Sequence, residues 1–153
     1  MDVKYINPFL DSFLSVMPQV GLNDVKKKGI SLSGKYIESP GVMIIVGIMG
    51  DIKGNIIYAT SIESAKHIAS AMMMGMPVNE LDELAQSAIS ELTNMLTANA
   101  AINFSQININ INISTPTLIY GEFTANSSSD KVLRVEMSIN GDPFEVNIAL
   151  EKN

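Results

Sequence analysis

Residues 81–104, LDELAQSAISELTNMLTANAAINF, decide how the rest of the chain is read. Their apolar side chains recur at steps of three and four, the period of an amphipathic helix. At about 100° per residue, Leu81, Leu84, Ala85, Ala88, Ile89, Leu92, Met95 and Leu96 gather on one arc, wide enough to face a core. The other arc holds Glu83, Gln86, Ser87, Ser90, Thr93, Asn94 and Thr97, with Glu91 on the border. Glu91 and Asn94 stand three apart and are therefore surface neighbours, and Ser87 and Ala98 beside them are small. The sequence predicts a carboxylate and a carboxamide side by side on a smooth helical ridge. Asn79 is the expected N-cap, with Asp82 and Glu83 favourably placed in the first turn.

Upstream, residues 3–20 place Ile6, Phe9, Leu10, Phe13, Leu14 and Met17 at helical spacing. Pro8 suits the first turn of that helix, and Pro18 and Gly21 end it. Strands are expected over 29–38, 42–49 and 55–60. The second is almost continuously apolar, as a strand covered on both faces is, and residues 50–54 turn it into the third as a hairpin. A short helix over 62–74 follows, capped by Ser61 with Ser64 in the capping-box position and stopped by Gly75 and Pro77. It carries the single histidine, His67, read as an ordinary helix-surface residue, and three consecutive methionines, which cannot share one face.

Downstream, residues 106–114 alternate four isoleucines with three asparagines. That is a strand pattern, expected to be paired along both edges because an unpaired one aggregates. Pro116 breaks it. A strand over 117–124, a polar mobile loop over 125–130, and a hairpin of 132–139 with 144–150 complete the chain. The order is helix, three strands, two helices, four strands. Each half runs helix then strands, which suggests an old duplication. Short turns make neighbouring strands antiparallel. The expected fold is α+β, helices packed on a largely antiparallel sheet, in a single domain over residues 1–153.

Composition removes several functions. A net charge of −6 argues against a nucleic-acid partner, and Lys26, Lys27 and Lys28 read as a solvated turn. With no cysteine there is no disulfide framework and no thiolate metal site. No apolar run reaches membrane-spanning length and the first residues lack the pattern of a signal peptide, so a cytoplasmic protein is expected. The lone histidine lacks the setting of a Ser-His-Asp triad, and no glycine-rich nucleotide motif occurs.

What remains is Glu91 and Asn94, framed as Ser87-x-x-x-Glu91-x-x-Asn94-Met95, with Ala100 after them, Ile6-Asn7-Pro8-Phe9 near the start, and Ser114-Thr115-Pro116-Thr117-Leu118-Ile119-Tyr120-Gly121 after the next strand. This pattern resembles the CheC/CheX/FliY family of chemotaxis phosphatases, and within it the CheX branch, because E-x-x-N occurs once here and CheC and FliY typically carry it twice. Pro116 comes one residue earlier than the family's proline, and Ala98 stands where relatives often have glycine. The resemblance implies a CheC-like fold and hydrolysis of the aspartyl phosphate of a CheY-type response regulator. It implies that Asn94 orients the attacking water and Glu91 docks to the regulator's lysine, with Ser87, Ala98 and Pro116 bordering the partner. It further implies no cofactor of the protein's own, Mg²⁺ on the regulator, and a homodimer. Two other readings stay open: a non-catalytic adaptor of the same fold, and an unrelated α+β binding domain.

Overall fold

The computed structural model describes residues 3–127 and 131–153. A 3-10 turn at Val3–Tyr5 leads into α1, Asn7–Val16, and a second 3-10 turn at Met17–Val20. Pro18 and the left-handed Gly21 (φ 86°) end this segment as expected. Then come β1 (Val25–Ser33), β2 (Tyr36–Glu38), β3 (Val42–Gly50), β4 (Ile52–Thr60), α2 (Ile62–Met72) and α3 (Glu83–Ser105). The rest is strand: β5 (Ile111–Ile113), β6 (Thr117–Tyr120), β7 (Thr124–Asn126), β8 (Val132–Ile139) and β9 (Asp142–Lys152). The fold is α+β, with three helices packed on a mostly antiparallel sheet.

The main sheet runs β1-β8-β9-β4-β3-β5, and β6 pairs with β3 beyond the end of β5. Its two hairpins, β3–β4 and β8–β9, meet along β4 and β9 in a ladder from Ile52↔Lys152 to Thr60↔Phe144. Each half of the chain lends an edge strand to the other half's hairpin: β1 pairs with β8, and β6 with β3. The two halves thus complete one another's sheet. Gly54 lies where β4 and β9 approach closely. Its φ is 144°, and a β-carbon there would collide with the carbonyl oxygen of Ala149.

Val42, Ile44, Val46 and Ile48 of β3 face the helices, and Met43 and Ile45 face the other way, under the small β2–β7 ribbon with Ile37 and Phe123. That double cover is why β3 reads as continuously apolar. On the helical side, Phe9 of α1 meets Phe104 of α3 edge-on at 5.7 Å, and Phe13 meets Phe144 of β9 at 5.7 Å. The Asn103 amide of α3 donates to the Pro8 carbonyl at 2.9 Å, tying the end of α3 to the start of α1.

Several expectations change. The strand expected over 29–38 is two strands in different sheets, divided near Gly34. Lys26, Lys27 and Lys28 are solvent-exposed but lie within β1, where the register shifts between Lys27 and Gly29, a bulge on an edge strand. The alternating run 106–114 yields only Ile111–Ile113 as strand, paired with β3. The preceding residues wind off α3, and Asn108 takes a positive φ of 62°. Local turn chemistry overrides the alternation there. The polar loop expected over 125–130 begins as strand β7, and 128–130 lie outside the described residues. The strand counts are thus four and five among the described residues, where three and four were expected.

Candidate functional site

The site rests on how α3 is turned. Asp82, not Asn79, caps it: the Asp82 carboxylate accepts from the Ala85 amide at 2.9 Å. Ala85, Ile89, Leu92, Leu96, Ala100 and Phe104 are buried, and so are Thr93 and Thr97 at 0% exposure. Leu84, assigned to the apolar arc by periodicity, is 62% exposed. The helix is therefore rotated by about 80° from its most apolar orientation. The threonines permit this because each satisfies its hydroxyl inside the fold. Thr93 donates to the Ser90 carbonyl (2.9 Å) and Thr97 to the Thr93 carbonyl (2.7 Å). Thr97 Oγ1 in turn lies 2.8 Å from the Tyr58 hydroxyl on β4, a fully buried pair. Burial raises the Tyr58 phenol well above its ordinary value, and the Thr97 contact offsets part of that.

The rotation fixes the opposite ridge. Ser87 and Glu91 are exposed, and Asn94 and Ala98 half-buried, at steps of four, three and four, so the four share one band. Among the described residues neither Glu91 nor Asn94 has a side-chain partner, so both face outward uncommitted. Pro116 is half-buried between β5 and β6, both of which pair with β3. Having no N–H, it interrupts the ladder, and Ser114 bridges the gap by accepting from the Gly47 amide at 2.8 Å. Ser87, Glu91, Asn94 and Ala98 thus come together on α3, and Pro116 sits on a separate loop. The corresponding exposed positions on α1 are Asn7, Asp11 and Leu14, with no carboxamide at the Asn94-equivalent step.

Ser87 and Glu91 stand exposed on the outer face of α3. A hollow of about 1040 Å³ opens elsewhere, lined by residues such as Lys4, Asp51, Asn108 and Lys152, and none of the ridge residues touches it. His67 lies with Nδ1 2.9 Å from Asp142 Oδ2 on the exposed surface, a contact between residues far apart in sequence. No group of three or more His, Cys, Asp or Glu suited to a metal occurs among the described residues. Among them, too, no helix is long and apolar enough to cross a membrane. Sequence reasoning missed Thr93, Thr97 and Tyr58 as the contacts that orient the ridge. Two threonines one helical turn apart were the available signal.

A carboxylate and a carboxamide thus stand three residues apart on one helix of an α+β sheet domain. Residues 42–138 match the family model for the chemotaxis phosphatase CheX, and the chain belongs to that family. It is 32% identical, over 99% of its own length and 98% of the relative's, to the protein of Thermotoga maritima named CheY-P phosphatase CheX. A crystal structure of chemotaxis protein CheX from Desulfovibrio desulfuricans is similar with a TM-score of 0.86, at 22% identity, covering 97% of this chain and 99% of that one. The crystal structure of the CheX-CheY-BeF3-Mg+2 complex from Borrelia burgdorferi gives a TM-score of 0.81 at 26% identity, covering 99% and 100%.

Proposed function

We propose that this protein is a phosphatase that hydrolyses the aspartyl phosphate of a CheY-type response regulator in bacterial chemotaxis signalling. The observation that carries the reading is the uncommitted Glu91–Asn94 pair on the outer ridge of α3, in a chain of the CheX family. The name of the Thermotoga maritima relative and the CheY in the Borrelia burgdorferi complex support it.

The division of labour follows from the chemistry. Hydrolysis of an acyl phosphate needs a water placed in line with the breaking bond and positive charge on the equatorial oxygens. The regulator supplies Mg²⁺ and a lysine at the phosphoryl group, so this protein needs no metal or cofactor of its own. Asn94 enters the regulator's site and its side-chain carbonyl accepts a hydrogen bond from the water, which is thereby fixed for attack. An amide does this at any physiological pH because it does not titrate. Glu91, one turn back, pairs with the regulator's lysine and sets the depth and angle of entry. Ser87 and Ala98 are small enough to let the helix approach, and Pro116 borders the same partner. The protein acts in the cytoplasm, as one domain over 1–153, and as a homodimer.

The test is release of phosphate from phosphorylated regulator. Wild type should accelerate it, and Asn94→Ala should return it toward the regulator's own rate, at least about 100-fold slower. Full activity in Asn94→Ala would falsify the mechanism. An inactive wild type would make the protein an adaptor of the same fold.

A further inference from the structure

We propose that the ridge of α3 is a docking strip in three parts. Leu84 and Ile102 are apolar anchors at either end of the Glu91–Asn94 pair, set in an acidic face that selects an electropositive partner surface. This rests on the phosphatase reading of the same ridge and extends it to what recognises the regulator.

Leu84 is 62% exposed and Ile102 57%. Lone exposed apolar side chains are ordinary. These two are not independently placed. Ile102 follows Ala98 by four residues and Leu84 precedes Ser87 by three, so both continue the band that carries Glu91 and Asn94. Eighteen residues of helix separate them by about 27 Å, with the polar pair midway. Neither can be drawn into the core without rolling α3 and burying Asn94, because the buried stripe of Ala85, Ile89, Leu96 and Ala100 lies on the opposite side. Their apolar surface is left for a partner that also engages the centre of the ridge.

Charge identifies that partner. From residue 68 to residue 130 the sequence contains no Lys, Arg or His, and α1 contains none. Asp11, Glu83 and Glu91 therefore have no cation on α1 or α3 to balance them. On α2, Lys66 is committed to Glu63 at 2.7 Å. Such a face repels anionic surfaces and draws in basic ones. A phosphorylated cleft is itself anionic, so the regulator that fits carries Lys or Arg around its phosphorylation site and an apolar recess on each side of it.

The experiment is steady-state hydrolysis of phosphorylated regulator by Leu84→Gln, Ile102→Gln and Glu83→Gln, with Met49→Gln as control, since Met49 is 71% exposed on β3. Glutamine keeps helix propensity. Leu84→Gln and Ile102→Gln should each raise KM about tenfold and leave kcat within about twofold, because the anchors bind ground and transition states alike. The control should match wild type. Wild-type KM should rise with added salt, and that rise should shrink in Glu83→Gln. Unchanged KM in both anchor variants, with an active wild type that Asn94→Ala abolishes, overturns the strip and leaves the catalytic pair standing. A salt-independent KM overturns the electrostatic part. Anchor variants that sediment as smaller species at unchanged KM make the strip a contact between copies of this chain and overturn it. A wild type inactive on every phosphorylated regulator overturns the strip together with the site.

Discussion

Replacing Asn94 by alanine removes the amide and little else, since alanine favours helix and the position faces outward. The melting temperature should therefore hold while turnover falls, and binding to phosphorylated regulator should largely survive. Asn94→Asp keeps the size, removes a donor and adds negative charge beside a phosphoryl group, so it should be as inactive as the alanine variant. Glu91→Ala should weaken both docking and turnover. At a second pair of residues, on the sheet's other face, the expected effect runs the opposite way. Glu136 and Glu145 stand directly across from one another on β8 and β9. Burial raises the Glu145 carboxyl above its ordinary range, Arg134 and Asn147 offset that, and Glu136 adds to it. A carboxyl raised on folding contributes stability below its unfolded value and loses it as pH climbs through the folded one. Glu136→Gln removes the opposing charge. It should stabilise the protein by about 0.5 kcal/mol at pH 7, and by less at pH 4, where Glu145 holds its proton. Thermal melts at the two pH values check this.

Among the elements, α3 shows where sequence reading reaches its limit. Its length and its Glu91–Asn94 ridge were legible from spacing alone, because a helix keeps its angular order whatever it packs against. Its roll about its own axis was not. Periodicity weights side chains by hydrophobicity and so assigns Leu84 inward and Thr97 outward, whereas the structure exposes Leu84 and buries Thr97 against Tyr58. A buried threonine is acceptable only once its partners are known, and those lie on β4. The pair has an asymmetric energetic signature. Thr97 donates to the Thr93 carbonyl, so the Tyr58 hydroxyl is the donor to Thr97. Tyr58→Phe deletes that donor and leaves an acceptor, costing about 1 kcal/mol. Thr97→Val strands the buried hydroxyl and should cost more, about 1–3 kcal/mol. The double variant should cost less than the sum of the two. Urea denaturation of all three variants tests the order.

For the whole molecule, the α+β class and the two hairpins were readable because short turns force antiparallel neighbours. The sheet order was not, since the joining of β9 to β4 and the placing of β1 beside β8 are pairings between distant segments that no local pattern records. The same holds for β2 and β7, whose three-residue strands make sense only as a lid over Met43 and Ile57. Assembly belongs to this scale too. The protein should sediment as a closed pair of about 33 kDa, twice the chain mass of 16.5 kDa. A lone monomer at micromolar concentration counts against that.

The exchange of edge strands between the halves sets the order in which the chain can fold. Val25 must find Ile139 before β1 has a neighbour, and Ile45 must wait for Thr117. The β3–β4 hairpin can form as soon as it leaves the ribosome, but its flanks stay open until the C-terminal half arrives. Contacts of such long sequence separation carry a large loop-closure cost and slow folding. Neither half, severed from the other, retains a complete sheet, yet the two fragments together hold every strand. Mixed in solution, they have a physical reason to reassemble.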